Sequence, residues 1–495
     1  MISSQPVALA RATLSALPPA ITRPAYDPAA VRAGIVHLGL GGFHRAHMAR
    51  YLHELMTIDP AAREWGILGV GLMPGDRRMI EALAPQDGLY ALVERDGPDE
   101  RVAVIGSLAG VHFAGDTTQA LLAAVDDPAI RILSLTVTEN GYCLDPATKR
   151  LNPDHPLVRA DLADPSLPRS AIGVIVEGLR RRRTVGRPAP TLLSCDNIQH
   201  NGAVLRDAVL AHAALSDDAL AAWIEANASF PSTMVDRITP VTTPADIDAL
   251  ARRHGLADNW PVVCETFSQW VIEDRFPEGR PAFERVGAQF VDDVAPYEFM
   301  KLRLLNASHL AVSGLGRLAG RVTIEEAMAD PRIAGVMRAM MDRETGPTVP
   351  PVPGIDLDDY KRTLMRRFAN PAIRDTVDRV NDDAPLNLLV DPIRDRLAGG
   401  GDITFLALAL AAWLRRVRGE DDRGEPIALR HPMAEALRAR AVEGGPDPAP
   451  LLGIRPLFGD LGDDPRLVAA VREWLGRLYR DGIEATLDEA ARRLT

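Results

Sequence analysis

Apolar residues follow two different rhythms along this chain, and the change comes near Val294. Before it, short apolar runs alternate with amphipathic stretches. Gly34–Gly42 (GIVHLGLGG) reads as a buried strand running into a glycine-rich turn, and Ala46–Met56 (AHMARYLHELM) then has helical spacing. Trp65–Leu72 (WGILGVGL), Arg131–Tyr142 (RILSLTVTENGY) and Pro190–Asn197 (PTLLSCDN) read as further strands. Leu89–Arg95 and Arg101–Ser107 are expected to pair, and Ala171–Arg183 to form a helix. Strands alternating with helices imply a parallel α/β sheet. After Val294 the spacing turns helical over Tyr297–Leu318, Ile324–Met341, Asp358–Phe368, Phe405–Arg418 and Pro465–Arg480. The pattern thus predicts an α/β domain over 1–293 and a mostly α-helical domain over 294–495. Thr345–Gly354 and Glu443–Pro450, rich in glycine and proline, are expected loops. The Ala/Pro-rich N-terminal stretch is expected to wrap the surface.

Composition narrows the function classes. Charged residues make up 25% and hydrophobic ones 46%, the mix of a globular protein. The net charge of −11 argues against nucleic acid or an anionic membrane as partner. Cys143, Cys195 and Cys264 are scattered, without metal-ligand spacing, so neither a metal nor a disulfide framework is expected. No apolar run reaches the ~18 residues of a membrane helix, and no signal peptide is evident. The expected location is cytoplasmic. The arginine runs Arg180–Arg183 and Arg415–Glu425 read as solvated helix ends and loops.

The turn Gly39-Leu40-Gly41-Gly42-Phe43-His44 opens like a dinucleotide fingerprint, with His44 in place of the third glycine. Small residues let the backbone approach a pyrophosphate, and a helix N-terminus favours its charge. The plain alternative is a tight turn that needs glycine for a positive φ. Asp76, after the second strand, is the candidate acid for the adenosine ribose hydroxyls, which would favour NAD over NADP. It lies further along than the usual ~20 residues. Its neighbours Arg77 and Arg78 would tolerate a phosphate, and an ordinary turn acid is the other reading.

Lys301–His309 (KLRLLNASH) sets a lysine, an asparagine and a histidine in an apolar run. On an α-helix Asn306 and His309 fall about 140° and 80° around from Lys301, on one broad face. Burying an unpaired ammonium is costly. Such a lysine suits a general base, because burial lowers its pKa from about 10.4. Asn306 would donate to an oxygen gaining negative charge, and His309 would bind a neighbouring hydroxyl. The alternative is a lysine whose charged end reaches the surface.

Gly39–His47 (GLGGFHRAH), Ser134–Cys143 (SLTVTENGYC), Ser194–Gly202 (SCDNIQHNG), Phe230–Pro240 (FPSTMVDRITP), Cys264–Phe276 (CETFSQWVIEDRF) and Lys301–His309 together resemble the mannitol dehydrogenase family. These are polyol-specific long-chain dehydrogenases, and fructuronate reductase is among them. The resemblance implies a Rossmann-type N-terminal domain, a helical substrate-binding domain, a nicotinamide cofactor, no metal and a monomer. It makes Lys301 the catalytic base, Asn197 and Asn306 the donors to the reacting oxygen, and Asp236, His309 and Arg379 the substrate contacts. Gly39, Gly41, Gly42, Phe43 and Asp76 would hold the cofactor. One segment departs from the family: after Arg379 a lysine-bearing stretch is replaced by Asn381–Leu397 (NDDAPLNLLVDPIRDRL).

The activity this implies is NAD-dependent interconversion of a polyol and its 2-ketose, D-mannitol and D-fructose. Pro350–Leu364 (PPVPGIDLDDYKRTL) resembles the mannitol enzymes. The alternative is fructuronate reduction to D-mannonate, with Arg394 and Arg396 as substitute cations for the keto-uronate carboxylate. A catalytically silent nucleotide-binding regulator would be expected to lack Lys301, Asn197 or Asn306. A zinc alcohol dehydrogenase would need ligand spacing that is absent.

Overall fold

Five short strands carry the first unit: β1 (Ala33–Leu38), β2 (Gly66–Gly71), β3 (Leu108–Phe113), β4 (Ile132–Leu135) and β5 (Thr191–Ser194). In the computed structural model, which describes residues 5–145 and 148–494, they form one sheet in the order β3-β2-β1-β4-β5. Every pairing is parallel. β4 and β5 are buried along their whole length, as a sheet covered on both faces requires. Alternate residues feed two cores. Ile35, Ile67, Ile132 and Leu193 join one with Met48, Leu52 and Leu55. Val36, Val70, Leu133 and Leu192 join the other with Ile172, Ile175 and Leu179. The strand order reverses between β1 and β4, and in such sheets ligands bind beyond the carboxyl ends there.

The expected pair is an antiparallel hairpin, Tyr90–Asp96 with Asp99–Ile105, extended by Val262–Glu265. Another small sheet joins Thr233–Asp236, Gln269–Glu273 and Gln289–Val291. The N-terminal stretch does more than wrap the surface. Val7 and Ala8 pair with Leu256 and Ala257, and Leu9, Leu17 and Ile21 enter a core of their own with Leu89 and Val104.

The helix after the glycine turn is broken where continuous helical spacing was expected. α1 (Gly42–Ala46) stops at His47, at φ −116° and ψ −94°, and α2 (Met48–Ile58) follows. A break leaves carbonyls without helical partners. Here the Tyr90 hydroxyl donates to the Arg45 carbonyl at 2.6 Å and the Arg237 guanidinium to the Ala46 carbonyl at 2.6 Å.

The arginine runs are not solvated throughout. Arg180 and Arg181 stay partly exposed and grip the buried Glu177, but Arg182 is itself buried. It donates to the carbonyls of Val125, Asp127, Ile130 and Pro188 at 2.7–2.9 Å. Arg415 and Arg416 are buried as well. The periodicity of an arginine run does not show that loop carbonyls converge on one of its members.

The chain divides into two compact units, Met1–Val294 and Ala295–Thr495. The second is helical. Its centre is Thr404–Arg416, buried from Phe405 onward and packed by Ala307–Leu318 and Pro465–Arg480. Tyr297–Leu318 is helical in three pieces: Ala295–Met300, a π-turn at Lys301–Asn306, and Ala307–Leu318. The Ala307 N–H reaches five residues back to the Leu302 carbonyl. A second π-turn, Met340–Thr345, follows Pro331–Ala339.

Glu344 of that second turn is fully buried. Its carboxylate accepts the Phe405 and Leu406 N–H groups at 2.8 and 2.6 Å, at the N-terminus of the central helix, where the dipole favours an anion. Burial nevertheless pushes its pKa from 4.5 up to about 8, with Asp402 adding to the rise and the two amides and Arg396 opposing it. The folded chain therefore keeps this proton where the unfolded chain has lost it. The group's contribution to stability is full below the unfolded pKa and is lost as pH rises towards 8. Urea unfolding of Glu344→Gln and parent should show the parent losing stability relative to the variant between pH 5 and pH 8. Parallel curves would refute the assignment.

Candidate active site

β1 delivers the chain to Gly39, at φ +89°. An added Cβ there would lie 2.2 Å from the Thr136 carbonyl oxygen, so no other residue fits. The Gly39 and Leu40 N–H groups both donate to the Val70 carbonyl, at 2.8 and 3.0 Å. Beyond Gly39 the turn is open: a Cβ on Gly41 or Gly42 would meet nothing closer than 3.7 or 3.8 Å. Phe43 is half-buried, stacked on His47 with centroids 5.0 Å apart.

Histidines support the turn from beneath. The Thr136 hydroxyl donates to the Gly39 carbonyl at 2.9 Å. It therefore accepts from His37 Nε2, 2.9 Å away, which leaves His37 Nδ1 to accept from the Ser134 hydroxyl at 2.8 Å. The His44 ring stacks on His37, centroids 3.4 Å apart. Burial lowers the His37 pKa to about 3 and holds His44 well below the usual range. Both rings are neutral, and His44 fills the third-glycine position as packing.

Asp76 follows β2 and is half-buried. Its Oδ2 accepts the Leu72 and Met73 N–H groups, both at 2.9 Å. The carboxylate thus closes the turn at the carboxyl end of β2, with its orientation fixed by main chain. Arg77 and Arg78 are exposed, and the Arg77 guanidinium lies over the Phe113 ring, 4.4 Å from its centroid.

Asn197 is exposed, three residues beyond β5. Its loop is held by the buried Asp196, which accepts Val137 N–H at 3.2 Å, Thr138 N–H at 2.7 Å and the Tyr142 hydroxyl at 2.8 Å. Burial raises the Asp196 pKa and these three donors lower it in part. Thr138 and His200, on the loops after β4 and β5, have φ of 61° and 54°, a costly region for non-glycine residues. The Asn201 amide donates to the Asp196 carbonyl at 3.0 Å and the Thr233 carbonyl at 2.9 Å. It so ties the Asn197 loop to the strand that ends in Asp236, which is 4% exposed. Beside Asp236, the buried Arg237 donates to the Glu265 carbonyl and to Glu94.

In the helical unit, Lys301 is 7% exposed and opens the π-turn; Asn306 ends it, half-buried. The wider turn repeats after about five residues, so Asn306 follows Lys301 on one side more closely than the α-helical spacing implied. His309, one turn on, stacks on Phe368 with centroids 4.9 Å apart. Its Nε2 lies 3.6 Å from Asp375 Oδ2. Arg379 forks onto the same carboxylate, Nε to Oδ1 at 2.7 Å and a terminal nitrogen to Oδ2 at 2.5 Å. The fold therefore brings His309 and Arg379 to one acid that the motifs did not mark. The i,i+4 spacing of Asp375 and Arg379 in IRDTVDR was its one sequence signal.

The departing segment Asn381–Leu397 spans the end of helix Val377–Asp383 and most of helix Asn387–Ala398. Arg394 pairs with Asp460 at 2.7 Å and Arg396 donates to the Asp402 carbonyl at 3.2 Å. Neither is held at Asp375.

Comparison with known proteins gives this arrangement its context. Residues 33–285 match the model of the mannitol dehydrogenase Rossmann domain, and residues 293–479 that of the mannitol dehydrogenase C-terminal domain. The chain is 43% identical over 467 residues to mannitol 2-dehydrogenase of Aspergillus fumigatus, covering 92% of this chain and 93% of that enzyme. It is 42% identical over 470 residues to mannitol 2-dehydrogenase of Cereibacter sphaeroides, covering 94% and 98%. Among solved structures it resembles Pseudomonas fluorescens mannitol 2-dehydrogenase in ternary complex with NAD and D-mannitol, with TM-score 0.88 and 43% identity over 98% of this chain and 100% of that one. A D-sorbitol dehydrogenase in substrate-free form matches with TM-score 0.88 and 34% identity, over 97% and 100%. With both domain models matched in order over most of its length, the chain belongs to the mannitol dehydrogenase family.

Proposed function

We propose that this protein is an NAD-dependent oxidoreductase that interconverts D-mannitol and D-fructose. The observation that carries this is the likeness, over nearly the whole chain, to mannitol 2-dehydrogenases and to one such enzyme bound to NAD and D-mannitol.

The residues present fit the cofactor. The open backbone of Gly41 and Gly42, at the carboxyl end of β1, leaves room for a pyrophosphate. Asp76, fixed by two main-chain N–H groups beyond β2, is assigned to the adenosine ribose hydroxyls, which favours NAD over NADP. When bound, the nicotinamide supplies the two-electron chemistry.

Proton transfer and charge stabilisation fall to the chain. Lys301, screened from bulk water, takes the proton of the C2 hydroxyl in oxidation and returns it in reduction. Asn306 and Asn197 donate amide N–H bonds to the oxygen as its negative charge grows. Asp236, His309 and Arg379 recognise the remaining hydroxyls. The reading needs no metal, because a cation and two amides already answer the charge on oxygen.

Fructuronate reduction is not favoured. Arg379 is neutralised by Asp375, and Arg394 and Arg396 are engaged with Asp460 and the Asp402 carbonyl. A silent regulator would have no use for Lys301, Asn197 and Asn306 together. We further assign the protein as a cytoplasmic monomer without nucleic-acid or membrane partners. Among the described residues no helix is long and apolar enough to cross a membrane.

Lys301→Ala should lower kcat by about 10²–10⁴-fold with the Kd for NADH unchanged; near-parental turnover at neutral pH would refute the base. Gly39→Ala should cost stability, at least ~1–2 kcal/mol for the left-handed conformation alone. Gly42→Ala should keep the melting temperature and weaken NADH binding, and titration of the two variants side by side separates turn geometry from cofactor contact. Asp76→Ala should shift the kcat/KM ratio from NAD towards NADP, and an unchanged ratio would remove Asp76 from the ribose.

A further inference from the structure

A buried cation touches the glycine turn. Arg45 lies on α1, four residues beyond Gly41, and is 2% exposed. Its side chain folds back towards the turn. Nε donates to the Gly41 carbonyl at 3.3 Å and a terminal nitrogen to the Trp260 carbonyl at 2.6 Å. The guanidinium also lies 5.1 Å from the centre of the Tyr90 ring. Both hydrogen bonds go to neutral oxygens, so neither cancels the charge. Asp258 steadies the cation from further off. That carboxylate spends its oxygens on the Ala91 and Trp260 N–H groups, at 2.5 and 2.8 Å, and on the Gln86 amide at 2.9 Å. None of these belongs to the turn, so the cation is the end of the pair that faces Gly41. Burial lowers the Arg45 pKa to about 10, which leaves it charged at neutral pH.

By itself α1 offers an anion little. It holds five residues and stops at His47, so few peptide dipoles align along it. Arg45 supplies what the short helix lacks. The Gly41 carbonyl accepts twice from Arg45, from its main-chain N–H at 3.2 Å and from Nε. In a trans peptide the N–H points opposite to the carbonyl. A carbonyl drawn on by a cation polarises its peptide and makes that N–H, the one of Gly42, a stronger donor. It is a first-turn N–H, which no helical carbonyl can take. The same charge also acts through low-dielectric protein on any anion that this N–H meets.

We propose that Arg45 acts through the Gly41–Gly42 peptide to hold the pyrophosphate of NAD, standing in for the dipole of a longer helix. Arg45 touches the turn and not the cofactor, so it is a positioning residue. The inference rests on the NAD reading given above, with the pyrophosphate at Gly41 and Gly42.

The test compares ADP-ribose, which carries the pyrophosphate, with adenosine, which lacks it. Their Kd values are measured by calorimetry on the parent and on Arg45→Met, which keeps an apolar stem and removes the charge. The preference for ADP-ribose over adenosine should fall by about tenfold or more, the effect of one charge acting over several ångströms inside a protein. A smaller fall, whether both ligands weaken alike or neither does, would overturn the inference, because a purely structural role moves the two together. Should Arg45→Met not fold, Arg45→Lys decides. It keeps a cation without the guanidinium fork, so the preference should stay within about threefold of the parent's even as the melting temperature falls. Loss of the preference in Arg45→Lys would overturn the inference, since fork geometry and not charge would then hold the turn. A parent that binds neither NADH nor ADP-ribose refutes the cofactor reading and this inference with it. A parent that binds both, while Arg45→Met keeps the preference, loses only the inference.

Discussion

An ionised side chain taken out of water costs several kcal/mol unless polar partners replace its hydration. This chain takes many out, and main-chain dipoles are the usual replacement. Arg182 is met by the carbonyls of four loop residues. Arg45 donates to the Trp260 and Gly41 carbonyls, and Arg237 to those of Ala46 and Glu265. Asp196 takes two N–H groups from the loop after β4. Each arrangement works in both directions. The charge needs the loop in one conformation, and the loop, lacking a regular ladder of its own, is held there by the charge. The segments that carry Gly41, Asn197 and Asp236 are all fixed in this way.

Much of this was legible beforehand, because it rests on short-range chemistry. Strand burial on both faces makes continuous apolar runs such as GIVHL and LLS, and a positive φ at Gly39 makes glycine obligatory. The helical half was visible from spacing, since a face buried against other helices repeats with the helix. Other features left no such trace. Whether Arg182 is solvated depends on carbonyls from Val125 to Pro188, which no periodicity within RRRR records. The break at His47 depends on Tyr90 and Arg237, both distant in sequence. Asp375 lay in plain view as one half of an i,i+4 pair, but such pairs are common on exposed helix faces. Only its burial distinguishes it.

The chemistry assigned here is modest in its parts. A lysine, two asparagines and a set of hydroxyl-binding groups supply proton transfer, charge stabilisation and recognition. Such groups are effective only when held in place, since a small displacement costs much of the rate. Their supports are accordingly made by specific contacts. Asn197 follows a carboxylate with three donors, and His309 lies against an aromatic ring beside an acid whose own carbonyl and next residue are tied to Thr323–Ile324.

The π-turn at Lys301–Asn306 bears on how this chain can change over evolutionary time. A π-turn holds one more residue than the α-helical turn it interrupts. Deleting one residue between Lys301 and Asn306 would let an ordinary helical turn close while the helix beyond it keeps its phase, because the extra residue is taken up within the wide turn. His309 would stay against Phe368 and Asp375, and the apolar face of Ala307–Leu318 would stay in its core. The stretch can therefore exchange residues one at a time and can also lose its extra one without unpacking the helix that follows. Related chains can accordingly differ by one residue here while the rest of the helical unit keeps its register.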